Sequence, residues 1–151
     1  MTRQAPLARA LAAALLLLGP ATAGTATEPG NDTAMTSIRV IVGDETLQAT
    51  LDTTTAAQDF AAMLPLELTL TDYHGIEKVA DLPRALDTSD APDSYKPETG
   101  DITVFAPWGN LAIFYKPFAN SRGLVRLGQF DGPIDALVQD GGIPVRIEAA
   151  D

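Results

Sequence analysis

No cysteine occurs in the 151 residues, and the chain carries one histidine and one tryptophan. The first absence removes disulfide staples, thiol chemistry and a cysteine-borne lipid, so the fold must be held by packing alone, which favours a closed, well-filled architecture. With His74 alone, no multi-histidine zinc site can be assembled from this chain. Basic residues are scarce as well, 10 against 20 acidic, for a formal charge of −10. A surface of that sign repels nucleic-acid phosphates and anionic lipid. Long apolar runs are also missing: Ala10 to Leu18 falls short of the about 20 residues that cross a bilayer, and nothing later is longer.

That short run is informative in its setting. MTRQAPLARALAAALLLLGPATAG begins with Arg3 and Arg9, continues through Ala10 to Leu18, breaks at Gly19-Pro20 and offers Ala21-Thr22-Ala23 as a small-x-small cleavage site. The pattern predicts a secretory signal peptide over residues 1–23, with Gly24-Thr25-Ala26 as an alternative cleavage point. Its removal leaves 8 basic residues against 20 acidic, a formal charge of −12. Residues 24–35, small and polar with Pro29 and Gly30, read as a flexible tether, and 36–151 as one domain. The expected product is a soluble periplasmic or secreted monomer without membrane insertion and without affinity for nucleic acid.

Within that domain, Ser37–Val42 and Thr46–Leu51 alternate around Gly43-Asp44-Glu45 as a hairpin. Asp52 and Thr53 supply capping side chains for a helix over Thr54–Met63, in which Ala57, Phe60, Ala61 and Leu64 recur at helical spacing until Pro65. Leu66, Leu68 and Leu70 alternate with polar residues as a half-buried strand, Tyr73-His74-Gly75 turns it, and Glu77–Val79 reads as a weak fourth strand. Asp81–Thr99, with three prolines after Leu82 and no periodicity, predicts a long surface loop with one helical turn at Pro83–Leu86. Leu124–Gln129 and Ile143–Ala149 complete the strands, and Asp131-Gly132-Pro133 starts a second short helix through Val138.

The stretch GDITVFAPWGNLAIFYKPF, residues 100–118, decides the architecture. Ala106-Pro107-Trp108-Gly109 suits a type I turn with a left-handed glycine, which pairs Ala106 with Asn110. In that register Ile102 and Val104 share a face with Ala112 and Phe114, and Thr103 and Phe105 share the other with Leu111 and Ile113. Neither face is polar. A strand pair apolar on both sides has to be covered twice, as happens in a small barrel whose interior is filled and whose outside is overlaid. The expected fold is mainly β: a closed eight-stranded barrel with two short helices.

The blocks LPLELTLTDYHGIEKVADLP (residues 64–83), Gly100-Asp101, Pro107-Trp108-Gly109-Asn110, Ile113-Phe114-Tyr115-Lys116, Ser121-Arg122-Gly123-Leu124 and Arg126-Leu127-Gly128 together resemble the bacterial cyclophilin-like domain family, whose functions are largely unassigned. The resemblance spans about Ile38 to Ile147 and implies an eight-stranded cyclophilin-like barrel with two capping helices. Catalytic cyclophilins isomerise prolyl bonds with an arginine in a Phe-His-Arg block and with a Gln-Gly-Gly-Asp block. This sequence has neither. Gly100-Asp101 follows Glu98-Thr99, and His74 stands in Tyr-His-Gly. Isomerisation needs a cation placed to polarise the prolyl nitrogen, so the departure argues against catalysis even where the fold persists.

Candidate binding residues are aromatic. Trp108 stands at the hairpin tip, and Phe114 and Tyr115, adjacent on a strand, cannot both enter one core, so one is left to pack under the long loop or to line a groove. Arg84 and Tyr95 on that loop could complete it. Each residue also has a structural reading, as an interfacial aromatic or an ordinary surface contact. His74 reads as a solvated turn residue, and no serine stands in a nucleophile elbow, so no catalytic residue is assigned. Asp87, Asp90 and Asp93 with Ser89 and Ser94 lack the alternating ligand spacing and central glycine of a calcium loop, so no metal or cofactor is expected. The sequence thus predicts an exported, non-catalytic module presenting an aromatic groove to a peptide segment or small molecule. A divergent peptidyl-prolyl isomerase of the cell envelope is the alternative.

Overall fold

A computed structural model describes residues 34–150. The predicted signal peptide and almost all of the predicted tether lie outside them. The elements, in chain order, are β1 (Thr36–Val42), β2 (Glu45–Leu51), α1 (Thr55–Ala62), β3 (Leu66–Tyr73), β4 (Glu77–Asp81), β5 (Ser94–Tyr95), β6 (Asp101–Phe105), β7 (Asn110–Phe114), β8 (Ser121–Arg122), β9 (Leu124–Phe130) and β10 (Ile143–Ala149). Eight of the strands close into an antiparallel barrel in the order β1-β10-β3-β4-β7-β6-β9-β2, while β5 and β8 pair separately. No helix among the described residues is long and apolar enough to cross a membrane.

Period-two alternation sends one side chain in two to the interior. Ile38, Val40 and Val42 of β1, Leu66 and Leu70 of β3, Ile102 and Val104 of β6, Leu111 and Ile113 of β7, and Ile143, Val145 and Ile147 of β10 form one buried cluster. Helix α1 lays Ala56, Ala57 and Phe60 against it. Its N-cap is Thr54, whose hydroxyl accepts from the Ala57 amide at 3.2 Å; Asp52 and Thr53, the expected caps, lie just before it. The second expected helix is a 3-10 turn over Asp135–Leu137. Ile134 offers no capping side chain, Val138 leaves helical geometry at ψ 68°, and Leu137 alone is buried within the turn, so there is no apolar face to hold further residues. The helical turn expected at Pro83–Leu86 is absent, and β4 extends past Val79 to Asp81 because Ala80 and Asp81 pair with Leu111 and Asn110 of β7.

The hairpin of β6 and β7 closes one residue earlier than its sequence suggests. Phe105 pairs with Asn110, leaving Ala106–Gly109 as a four-residue loop, with the Trp108 and Gly109 amides both donating to the Phe105 carbonyl. Gly109 is left-handed, at φ 66°. The slip changes which residues share a face. Ile102, Val104, Leu111 and Ile113 point inward together, while Thr103, Phe105, Ala112 and Phe114 point outward. The outer face is apolar and covered, as a two-sided apolar hairpin requires: Ala112, Phe114 and Leu124 form a second buried cluster beneath Ile76, Val79, Tyr95 and Phe105.

Two carboxylates, Asp59 and Asp101, are among the groups that hold the long loop. Arg84 makes a bidentate pair with Asp59 of α1 at 2.7 and 2.9 Å, and the same carboxylate accepts from the Asp87 amide at 2.8 Å. The Arg84 hydrogen bond, then the Asp87 amide, depress the Asp59 pKa to about 2 from 3.8. A depressed carboxylate stabilises the fold above its unfolded pKa, so this anchor should weaken as pH falls from 3.8 toward about 2. Asp59→Asn should reproduce that loosening at neutral pH as faster amide exchange at Asp87, with β1 and β10 unchanged. Unaltered exchange at Asp87 would show that the loop is held by other contacts. The second anchor is Asp101, 5 % exposed, which accepts from the Tyr95 hydroxyl at 2.6 Å and the Glu98 amide at 2.9 Å.

Candidate functional site: an aromatic groove on the outer wall

The outward-facing residues of β3, β4, β7 and β6 meet in three rows. Thr71, Val79, Ala112 and Thr103 lie side by side across the four strands. On one side Tyr73, Glu77 and Phe114 form the next row; on the other, Asp81, Asn110 and Phe105 continue to Leu124 of β9. Over these rows lies a groove of about 590 Å³, with Val79, Phe105 and Phe114 in its lining. Tyr73 and Trp108 line it from the β3–β4 turn and the hairpin tip, and Phe118, Ser121 and Leu124 from the segment around β8. Trp108 meets Phe105 edge-to-face at 5.2 Å and Tyr73 at 6.3 Å, so the indole bridges two strands rather than projecting alone.

Local chemistry sets these positions. His74 at φ 54° and Gly75 at φ 66° make the left-handed turn that ends β3, and the Gly75 amide donates to Asp72 Oδ2. The turn leaves Tyr73 on the outer face. At the other end, Gly123 adopts φ 85° and lies so close to Pro107 that a Cβ there would be 2.9 Å from its ring. That approach, with the Ala106 amide donating to the Gly123 carbonyl at 2.9 Å, seats the Trp108 turn against the start of β9.

The groove is acidic as well as aromatic. Glu77 and Asp81 line it, and among the described residues no lysine or arginine does. Burial raises the Glu77 pKa above its ordinary value, with nearby His74 acting the other way. None of the ion pairs among the described residues uses Glu77 or Asp81. Asn110 also lines the groove, 8 % exposed, and its Oδ1 is buried with no hydrogen-bond partner. An orphaned buried acceptor costs about 1–3 kcal/mol.

Of the residues singled out from sequence, Trp108 and Phe114 line this groove and three others do not. Phe114 is the outward member of its pair, yet only 2 % exposed, because it is buried with Ala112 and Leu124 beneath Ile76, Val79, Tyr95 and Phe105. Tyr115 packs instead against the interior cluster: its hydroxyl bonds Asp72, which with burial pushes the phenol pKa up to about 12, and Lys78 lies 5.6 Å from its ring. Arg84 is committed to Asp59 of α1. Tyr95 borders a separate depression of about 280 Å³ beside Arg126, and burial, then its bond to Asp101, drive its phenol pKa far upward. Sequence reasoning missed Tyr73, Phe105 and Phe118. Tyr73 had a signal, since it continues the outward parity of Thr69 and Thr71; Phe118 had none.

A model of the Cyclophilin-like family matches residues 40–148, from β1 to β10. The chain belongs to the cyclophilin-like family. The cyclophilin-like barrel is similar to the solution structure of a hypothetical protein from Archaeoglobus fulgidus, with a TM-score of 0.61 at 17 % identity, over 80 % of this chain and 99 % of the archaeal one. At that identity the likeness establishes the fold. No curated protein matches the chain. The cyclophilin-like domain therefore has to be read functionally from its own groove.

Proposed function

We propose that this cyclophilin-like domain is an exported, non-catalytic binding module whose outer-wall groove takes a short peptide segment or a small ligand. One observation carries the reading. Three of the five exposed large hydrophobic residues among the described residues, Tyr73 (38 %), Trp108 (67 %) and Phe118 (46 %), line the same groove. Such convergence of exposed aromatics around a concavity of ligand size is the ordinary form of a recognition site. Isomerase chemistry would call for a cation at the groove, but Arg84 is held by Asp59, and Arg126 lies in the neighbouring depression within 3.6 Å of Asp52 and 3.8 Å of Asp101. The proposal of export rests on the N-terminal pattern of Arg3, Arg9 and the run Ala10–Leu18.

A neutral solvatochromic dye such as Nile red tests the groove. Saturable binding is expected, weakened at least fivefold in the Trp108→Ala/Phe118→Ala double variant with little change in stability, because both side chains are exposed. Binding unchanged in that variant would move the site elsewhere. In a proline-switch peptide assay no turnover above the uncatalysed rate is expected, and clear turnover would favour the isomerase alternative. Cell fractionation tests export: an uncut chain confined to the cytoplasm would overturn it.

A further inference from the structure

We infer that the occupant of this groove is a cationic side chain, arginine or lysine, carried on an extended peptide of about four residues. The inference rests on the groove being a binding site and goes on to name what it selects. Rings from Tyr73, Trp108 and Phe118 offer π surfaces at its open side, while Glu77 and Asp81 on the outward parity of β4 supply two carboxylates without a protein counter-ion among the described residues. Aromatic faces beside carboxylates are the environment that holds a desolvated ammonium or guanidinium. Asn110, on the same lining, carries a buried Oδ1 without a hydrogen-bond partner.

Competing chemistries fit less well. An anion would meet Glu77 and Asp81 under a net charge of −10, and a purely apolar ligand would bury Glu77 further without compensating its charge. Length favours a peptide over a free amine. The lining runs from Thr69 and Thr71 on β3, across β4 and β7, to Phe105 on β6. Three inter-strand steps of about 4.8 Å make roughly 14 Å, the reach of about four extended residues. The four strands belong to a closed barrel and most of their backbone is already paired, so recognition falls mainly to side chains.

The sole tryptophan, Trp108, is the reporter. The purified protein would be titrated with acetyl-Ala-Ala-Arg-Ala-amide, with the same peptide carrying neutral citrulline for arginine, and with arginine amide. The arginine peptide should shift Trp108 emission saturably and bind at least tenfold tighter than either comparison ligand. Glu77→Gln should lower its affinity about tenfold while leaving the citrulline peptide unchanged, and Asp81→Asn should act in the same direction. Equal affinity for the arginine and citrulline peptides would overturn the cationic assignment, and arginine amide binding as tightly as the peptide would overturn the peptide assignment. Nile red binding without any response to the peptides would overturn this inference and leave the groove reading intact, whereas loss of both would remove both.

Discussion

Gly128→Ala is expected to destabilise the protein by about 3 kcal/mol, lowering the urea midpoint with the slope unchanged. Gly128 lies in β9 between Leu51 of β2 and Ile102 of β6, with a backbone neighbour on either side. A Cβ at this position would stand 2.2 Å from the Thr50 carbonyl oxygen and 2.8 Å from Leu51 Cα. Both are main-chain atoms, so no rotamer change relieves the clash and β2 itself must shift. Only three residue pairs register β2 with β9, so a displaced β2 opens the barrel at a short seam. Gly132→Ala, where a Cβ would meet nothing within 4 Å, is the control and should cost under about 0.5 kcal/mol. Equal midpoints for the two variants would refute the idea that backbone approach at Gly128 closes the barrel.

Asp101→Ala should cost a comparable amount, about 3 kcal/mol, and should also damage the groove. The substitution strands the Tyr95 hydroxyl and the Glu98 amide, each bonded to Oδ2, and bonds to a charged acceptor are worth about 1.5–3 kcal/mol each. Tyr95 belongs to β5 of the β5–β8 ribbon and pairs with Ser121, which lines the groove. Releasing it should therefore uncover Phe114, loosen the segment bearing Phe118, and weaken Nile red binding several-fold. Asp101→Asn keeps one acceptor oxygen and should fall between wild type and alanine. Denaturation midpoints together with dye titrations test the linkage. A destabilised Asp101→Ala variant that binds dye normally would separate the ribbon from the site.

Both predictions concern positions whose role is invisible in local pattern. Gly128 reads in sequence as one residue of a strand, and its meaning depends on how closely β2 approaches. Asp101 reads as a polar residue at the start of the hairpin stretch, whereas in the fold it is buried and bonded by the Tyr95 hydroxyl, six residues earlier. The candidate site divides the same way. Trp108 and Phe114 are legible because a turn tryptophan and a surplus strand aromatic are local facts. Arg84 and Tyr95 were grouped with them by loop membership, but their partners lie elsewhere: Asp59 for the arginine, Asp101 for the tyrosine. Phe118 joins the groove through non-local contacts, its amide donating to the Pro97 carbonyl at 3.1 Å close to where β5 pairs with β8.

The chain's own order of residues determined the barrel, since alternation in β1, β2 and β3 and the doubly apolar β6–β7 hairpin leave few ways to bury both faces. It determined the parity of the unbroken strands as well, because side chains there alternate with period two whatever the partner; β9 departs, its register shifting at a bulge opposite Ile102 and Thr103. What only the tertiary structure decided is registration: the one-residue slip at Phe105–Asn110, the inward turn of Tyr115, and the alignment of Tyr73, Trp108 and Phe118 around Glu77 and Asp81. The reason is physical. Parity is set by the covalent chain, whereas register and convergence are set by which non-local pairing satisfies the most backbone hydrogen bonds while filling the core.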